Sequence, residues 1–216
     1  MFRKINFFYP LCLLLCCMTT ALSLSSCSEE SGTVEEYPGW QVKNEAFYNQ
    51  LTDSVVALLQ ADPGRTDWKR IKCWSKPDTL VGGNDYYVIV HVLESGPATE
   101  TQMPLFTDTV SVHYCGRLLP SVSYPQGKVF DRTYVEPFDA EVSSPSKFAV
   151  GSSSESSGLV AGFSSVLQHM HRGDHWVVYI PYQLAYGTTE QSGIPAYSTL
   201  IFDLRLVDFW SPRVSE

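Results

Sequence analysis

The first regular pattern of apolar residues along the chain has the period of a helix. Five apolar side chains recur at helical spacing: Phe47, Leu51, Val55, Leu58 and Leu59. The pattern predicts an amphipathic helix over residues 44–62. Asn44 has the side chain of an N-cap, and Asp62-Pro63-Gly64 forms a stop signal.

After this helix the pattern is ambiguous for some twenty residues and then changes to a period of two. Trp68, Ile71 and Trp74 fit either a second short helix or an extended segment. Alternating or β-rich apolar runs then predict four strands, at residues 86–93, 109–114, 176–180 and 200–207.

One further helix is expected among these strands. Val160, Phe163, Leu167 and Met170 lie on one stripe, and Gly173 follows as the stop. This predicts about three turns of helix. Residues 143–158 are rich in serine and are expected to form a loop. Many strands with a single helix indicate an α+β domain in which an antiparallel sheet covers that helix.

The beginning of the chain has the layout of a secretory signal. Arg3 and Lys4 are followed by an apolar run at 7–18 and by small and polar residues. The run is shorter than the roughly 20 residues of a membrane span, although an uncleaved anchor helix is an alternative. Leu24-Ser25-Ser26-Cys27 resembles a bacterial lipobox, in which the cysteine is acylated. Several acyl chains on one residue give stable membrane anchoring.

These observations divide the chain into four parts. Residues 1–26 are expected to be a signal peptide, and 27–39 a lipidated flexible tether. Residues 40–83 are expected to be a helical N-terminal segment, and 84–210 the main domain. The acidic residues just after Cys27 resemble the surface-export signals of some Bacteroidetes lipoproteins. The expected location is the cell envelope, lipid-anchored in the outer membrane, with a periplasmic and a surface-exposed orientation both open.

Composition and charge limit the classes of partner that the protein is expected to bind. Hydrophobic residues make up 44% of the chain, which is enough for a packed core. The formal net charge is −8 without any long run of charge, so nucleic acid is not an expected partner. Beyond Cys27 the only cysteines are Cys73 and Cys115. A disulfide between them and two separate buried thiols are both open interpretations.

A series of short motifs runs through residues 110–207. They are VSVHYCGRL at 110–118, GKVFD at 127–131, FAVG at 148–151, LVAGF at 159–163, LAYG at 184–187, GIP at 193–195 and STLIFDL at 198–204. In this order they resemble the FKBP-type peptidyl-prolyl cis/trans isomerase family. The resemblance implies an antiparallel half-barrel sheet wrapped around one short helix, preceded here by the small helical N-terminal segment.

The resemblance also implies a pocket between sheet and helix. The expected catalytic residues are Tyr114, Phe130, Asp131, Tyr186 and Phe202, and the expected substrate-binding residues are Phe148, Leu159, Val160, Phe163 and Ile194. Phe163 would form the floor, where family members usually carry tryptophan, so a deeper pocket is expected. The Tyr186 hydroxyl and the Val160 backbone N–H would donate to the substrate, and Asp131 would accept from Tyr114.

Such a pocket fits isomerisation of X–Pro bonds, with proline-containing unfolded or flexible polypeptides as partners. An apolar residue is expected before the proline. Macrolide ligands of the family are further candidates. No cofactor or metal is required by this chemistry. Tyr124, Tyr134 and Phe138 belong to a long segment at 120–147 that is expected to cover or extend the pocket mouth.

Two other functions are compatible with the same motifs. A non-catalytic FKBP-fold binding module and a holdase chaperone that uses the N-terminal segment are the alternatives.

His169, His171 and His175 are close in sequence, but Gly173 interrupts them. They are expected to be solvent-facing histidines at the C-terminal end of a helix, where positive charge is favourable, rather than zinc ligands.

Overall fold

The computed structural model describes residues 34–78, 82–151 and 158–212. The predicted signal peptide, Cys27 and most of the tether lie outside these ranges. Glu35–Glu216 forms one compact unit. Within the described ranges, no helix is both long enough and apolar enough to cross a membrane.

The described residues of this unit form two α-helices and seven strands. In chain order they are α1 (Trp40–Ala61), β1 (Trp68–Lys72), β2 (Tyr87–Glu94), β3 (Thr109–Arg117), β4 (Val129–Arg132), β5 (Ser146–Ala149), α2 (Ala161–Leu167), β6 (His175–Ile180) and β7 (Leu200–Trp210). A short 3-10 turn at Asn84–Tyr86 precedes β2, and another at Tyr182–Leu184 follows β6. The predicted α+β class is confirmed.

The strands form one antiparallel sheet in the order β1-β2-β6-β7-β3-β4. The first half of β3 also pairs with β5, while its second half pairs with β4. β7 runs along the whole of β3 and joins it to β6. A register shift between Ser111 and Val112 bends this central pair. The sheet therefore curves around one face, as the half-barrel prediction requires.

Helix α2 lies in the hollow of the sheet. It is almost entirely buried, and Gly162 permits its close approach because a Cβ there would collide with Cγ2 of Ile180. The helix is shorter than predicted and ends at Leu167. His169 and Met170 then donate to the carbonyls of Val166 and Leu167, a tighter i→i+3 pattern that ends the α-helix one turn early.

Helix α1 begins at Trp40, earlier than predicted, after Gly39 at a φ of 60°. Asn44 is therefore not an N-cap but lies inside the helix and is fully buried. The buried stripe is Trp40, Asn44, Tyr48, Thr52 and Val55. Of the apolar stripe predicted from sequence, Val55 belongs to this buried set and Leu58 is exposed. The other three members are partly buried beside it: Phe47, Leu51 and Leu59. The predicted face is displaced because the groups that α1 packs against are polar as well as apolar.

The segment predicted to be helical over 40–83 also contains a strand. β1 pairs antiparallel with β2, and the Trp68 ring stacks on His91 at 4.3 Å between centroids. The extended alternative for this stretch is thus the one observed. β4 and β5 were not predicted, and β5 lies inside the serine-rich stretch that was expected to be loop.

The convex face of the sheet is covered by part of the 120–147 segment. Phe138 packs on His113 and Tyr134 at 5.0 Å between ring centroids. The Tyr134 hydroxyl donates to Asp203 at 2.7 Å. The expectation that Tyr124, Tyr134 and Phe138 cover or extend the pocket mouth is wrong, since none of them lines the pocket. Tyr134 and Phe138 pack instead on the convex face, beside His113 of β3. Cys73 and Cys115 are both free and buried, so the two-thiol interpretation is the one observed.

Candidate active site

A cavity opens between the N-terminal end of α2 and the concave face of the sheet. Its lining residues are Tyr114, Phe130, Asp131, Phe148, Gly158, Leu159, Val160, Phe163, Tyr186 and Phe202. Its volume is about 160 Å³. Cavities near this size admit a ring as large as benzene, so a proline ring fits.

Aromatic rings form the floor and two walls. Phe163 is buried at the floor and meets Phe202 edge to face at 4.9 Å between centroids. Phe202 meets Phe130 at 5.5 Å with their planes perpendicular. The centroid of the Tyr114 ring lies 6.2 Å from the ring centroids of both Phe163 and Phe202. Edge-to-face contacts of this kind hold rings in fixed orientations and leave the space between them open.

Gly116 makes this arrangement possible. It lies in β3 opposite Phe202 of β7 and Asp131 of β4. A Cβ at Gly116 would lie 2.6 Å from Cζ of Phe130 and 2.7 Å from Cε1 of Phe202. The two rings therefore occupy the space that any side chain here would need. Gly116 belongs to the motif at 110–118, but nothing in the sequence indicated that it makes room for the two rings.

One hydrogen bond ties the wall together. The Tyr114 hydroxyl donates to Oδ2 of Asp131 at 2.7 Å, as the resemblance implied. Oδ1 of Asp131 accepts the backbone N–H of Arg132 at 2.8 Å. Burial, together with the neighbouring Asp131 carboxylate, raises the pKa of Tyr114 well above its usual range. Tyr114 is thus a permanently protonated donor that orients the carboxylate.

Tyr186 lies at the mouth of the cavity and is 39% exposed. Burial raises the pKa of its phenol, and the negative charge of Asp131 raises it further. The hydroxyl therefore stays protonated at neutral pH and can donate a hydrogen bond. Val160 lies across the cavity as the residue that precedes α2, and its carbonyl accepts the N–H of Ser164 at 3.1 Å.

The structure brings together every predicted site residue except Ile194. Ile194 is buried in the core cluster and does not line the cavity. It pairs with Gln191 in an isolated bridge, so it anchors the loop between β6 and β7. Gly158 lines the cavity without having been predicted, and a residue lacking a side chain carries no signal by which sequence could have found it.

The three histidines near the end of α2 point to different partners. His169 Nδ1 lies 2.9 Å from the Ser165 carbonyl, and His171 lies 3.6 Å from Asp174. The expectation of a solvent-facing side chain is wrong for His175, which lies in β6 and is 5% exposed. Its Nε2 lies 2.9 Å from Asp203 on the convex face. In the three described ranges, no group of three or more His, Cys, Asp or Glu residues could hold a metal ion.

The fold and the site together define an α+β half-barrel: a curved antiparallel sheet around one short helix, with an aromatic cavity between them. The family model that matches is FKBP-type peptidyl-prolyl cis-trans isomerase, over residues 101–207. This domain of the chain therefore belongs to the FKBP-type peptidyl-prolyl cis-trans isomerase family.

Individual relatives agree with this assignment. The macrophage infectivity potentiator of Trypanosoma cruzi is 37% identical over 105 residues, which cover 48% of this chain and 44% of that protein. FkpA of Escherichia coli, an FKBP-type peptidyl-prolyl cis-trans isomerase, is 31% identical over 166 residues, 76% of this chain and 54% of that protein. The chain thus spans about half the length of these relatives. The crystal structure of FkpA from Escherichia coli aligns over 96% of this chain and 74% of that chain, with 22% identity and a TM-score of 0.46.

Proposed function

We propose that this protein is a peptidyl-prolyl cis/trans isomerase that assists the folding of exported or surface proteins. The observation that carries the proposal is an open cavity with aromatic floor and walls and a protonated phenol at its mouth. Membership of the FKBP-type family supports it. The proposed reaction needs neither a nucleophile nor a general base.

The physical basis is the electronic change that accompanies twisting. Rotation about the X–Pro bond crosses a barrier of roughly 18–20 kcal/mol because amide resonance is lost. Water stabilises the planar, dipolar ground state more than the less dipolar twisted state. A cavity walled by Phe130, Phe163 and Phe202 excludes much of that water. Only interactions that favour the twisted form over the planar form accelerate the reaction.

Polar groups at the rim orient the substrate. The Tyr186 hydroxyl is the proposed donor to a carbonyl of the bound peptide, and its raised pKa keeps the proton in place. The backbone N–H of Val160 is the proposed second donor. The Tyr114–Asp131 hydrogen bond holds one wall in position. Ile194 contributes by fixing the loop rather than by touching substrate.

The proposed substrates are flexible chains with an exposed X–Pro bond, because only such a bond enters a cavity of this size. An apolar residue before the proline fits the apolar rim formed by Phe148 and Leu159. Macrolides of the kind that the family binds are proposed as further ligands of the same cavity, with a fit altered by Phe163.

The proposed location is the cell envelope. A signal peptide at 1–26, acylation of Cys27 and a short polar tether would hold the domain near a membrane. The lipobox-like sequence before Cys27 supports this part of the proposal. An isomerase in that position meets exported chains as they fold.

The test is the refolding of a protein whose slow phase is limited by proline isomerisation, which takes tens to hundreds of seconds unaided. Wild type at micromolar concentration is expected to shorten the slow phase. Phe130→Ala is expected to lower the acceleration by roughly tenfold or more, because it opens one cavity wall to water. Phe138→Ala is the matched control, since it removes a similar ring from the opposite face of the sheet.

Three outcomes would count against the proposal. If wild type leaves the slow phase unchanged while still binding a proline peptide, the domain is a binding module. If it slows aggregation of the refolding chain without changing the slow phase, and Phe130→Ala does the same, the domain is a holdase. Equal losses in Phe130→Ala and Phe138→Ala would show that stability, rather than the cavity, sets the rate.

A further inference from the structure

Helix α1 makes three hydrogen bonds to the loop that connects β6 and β7, here called the β6–β7 loop (residues 181–199). Trp40 Nε1 donates to the Ser198 hydroxyl at 2.8 Å. The backbone N–H of Thr199 donates to Oδ1 of Asn44, also at 2.8 Å. At the other end of the loop, the Tyr182 hydroxyl donates to Glu45 at 3.1 Å.

These contacts hold the loop on both sides of Tyr186, at Tyr182 and at Ser198 and Thr199. The N–H of Gly187 donates to the carbonyl of Tyr182 at 2.8 Å, and the N–H of Tyr197 donates to that of Gly187 at 3.0 Å. Tyr182 and Tyr197 also meet edge to face at 5.2 Å. The backbone around Tyr186 is therefore connected at both ends, through short hydrogen bonds, to residues that α1 holds.

The composition of the α1 face is explained by these contacts. Asn44 is fully buried, and burial of an amide is unfavourable unless both its groups are paired. Both are paired here, because Nδ2 donates to the Trp40 carbonyl and Oδ1 accepts from the loop. Trp40 and Ser198 are also buried, at 7% and 4% exposed. For packing alone, an apolar side chain would serve better at Asn44.

We infer that α1 is a clamp that positions the β6–β7 loop, and with it the Tyr186 hydroxyl, at the mouth of the cavity. Asn44 and Trp40 are the positioning residues, and neither lines the cavity. The inference rests on the proposed function in that Tyr186 is the group being positioned. Loosening the clamp leaves the aromatic walls in place but spreads the phenol over many orientations, and so weakens its hydrogen bond to a substrate.

The first test is amide hydrogen exchange in the full chain, with Asn44→Ala and Trp40→Phe as variants. Each removes one loop contact, and Trp40→Phe retains most of the ring packing. Exchange at Gly187 and Tyr197 is expected to become roughly two- to tenfold faster, the factor that one hydrogen bond of ordinary net strength gives. Tyr48→Phe is the matched control. It lies on the same helix and loses a 2.6 Å hydrogen bond to the Tyr87 carbonyl of β2, outside the loop.

The second test is a double-mutant cycle on the acceleration of proline-limited refolding. Asn44→Ala is expected to reduce acceleration about three- to tenfold in wild type. In a Tyr186→Phe background it is expected to have little effect, because the group it positions is gone. A general loss of stability would instead lower the rate equally in both backgrounds.

The outcomes separate this inference from the proposed function. Unchanged loop exchange in both Asn44→Ala and Trp40→Phe overturns the clamp, whatever the activity. An additive cycle overturns the link to Tyr186. If wild type shows no acceleration, the proposed function fails, and loop exchange alone then decides whether α1 holds the loop. If Asn44→Ala does not fold, Trp40→Phe and Tyr182→Phe carry both tests.

Discussion

At the scale of single residues, the cavity depends on the absence of a side chain at Gly116. The rings of Phe130 and Phe202 fill the space where its Cβ would stand. Phe130 belongs to β4 and Phe202 to β7, which pair with β3 on either side, so neither ring can move away without shifting its strand. The shape of the cavity wall is therefore fixed by one position in β3.

Gly116→Ala is expected to push these rings out of place. The variant should lose about 1–3 kcal/mol of unfolding free energy from overpacking, and roughly tenfold in isomerase rate. Urea unfolding and proline-limited refolding measure the two effects. Gly64→Ala is the control, because a Cβ there meets only Asp62 Oδ1 at an ordinary 3.5 Å. A Gly116→Ala protein with unchanged rate would show that the ring positions do not matter.

At the scale of elements, the convex face of the sheet holds a buried polar group that the cavity does not use. His113 of β3 is 4% exposed, meets the Phe138 ring and lies 3.4 Å from the Thr133 hydroxyl. Burial lowers its pKa, and the Arg205 guanidinium on β7 lowers it further. The folded protein thus disfavours protonation of this imidazole.

A pH dependence of stability follows from this shift. In the unfolded chain His113 takes up a proton near the usual histidine pKa of about 6.5, whereas the folded chain takes it up only at lower pH. Protonation therefore favours the unfolded state, so the stability that His113 contributes is present above about pH 6.5 and is lost as pH falls below it. Urea unfolding at pH 7.5 and 5.5 should show a larger loss in wild type than in His113→Gln. Equal losses would contradict the assignment.

The elements also show which parts of the fold are visible in sequence. β3 and β7 were predicted because long alternating runs such as Val110, Val112 and Tyr114 mark a buried face. β4 and β5 have four residues each, with mixed exposure, too short to establish a period. The end of α2 was misplaced because Met170 stays buried after the helix has tightened and stopped.

At the scale of the whole molecule, the residues that line the cavity could be predicted from sequence, whereas the contacts between α1 and the β6–β7 loop could not. The motifs that resemble the FKBP-type family identified nearly all the residues that line the cavity. The role of Asn44 was missed because its partner, Thr199, is 155 positions away, and Trp40 and Ser198 are 158 positions apart. Hydrogen bonds over such separations leave no local pattern, and Asn44 therefore resembled a helix cap.

Anchoring is a property of the whole chain and has its own test. Cys27→Ala is expected to move the protein from the membrane fraction to the soluble fraction, because acylation at this residue is the proposed attachment. Cell fractionation with detection of the full chain measures it. Cys73→Ala serves as control, since this buried thiol lies within the folded unit. Unchanged membrane association of Cys27→Ala would exclude the lipid anchor at this position.

The most direct test of the central claim is the cis/trans exchange rate of a short Leu-Pro peptide, measured by NMR exchange spectroscopy with increasing protein. The aromatic cavity predicts an exchange rate that rises in proportion to protein concentration while the equilibrium cis fraction of the free peptide stays constant. Phe130→Ala should largely abolish the rise. Chemical-shift changes that demonstrate peptide binding, combined with an unchanged exchange rate, would contradict the claim that this cavity catalyses isomerisation.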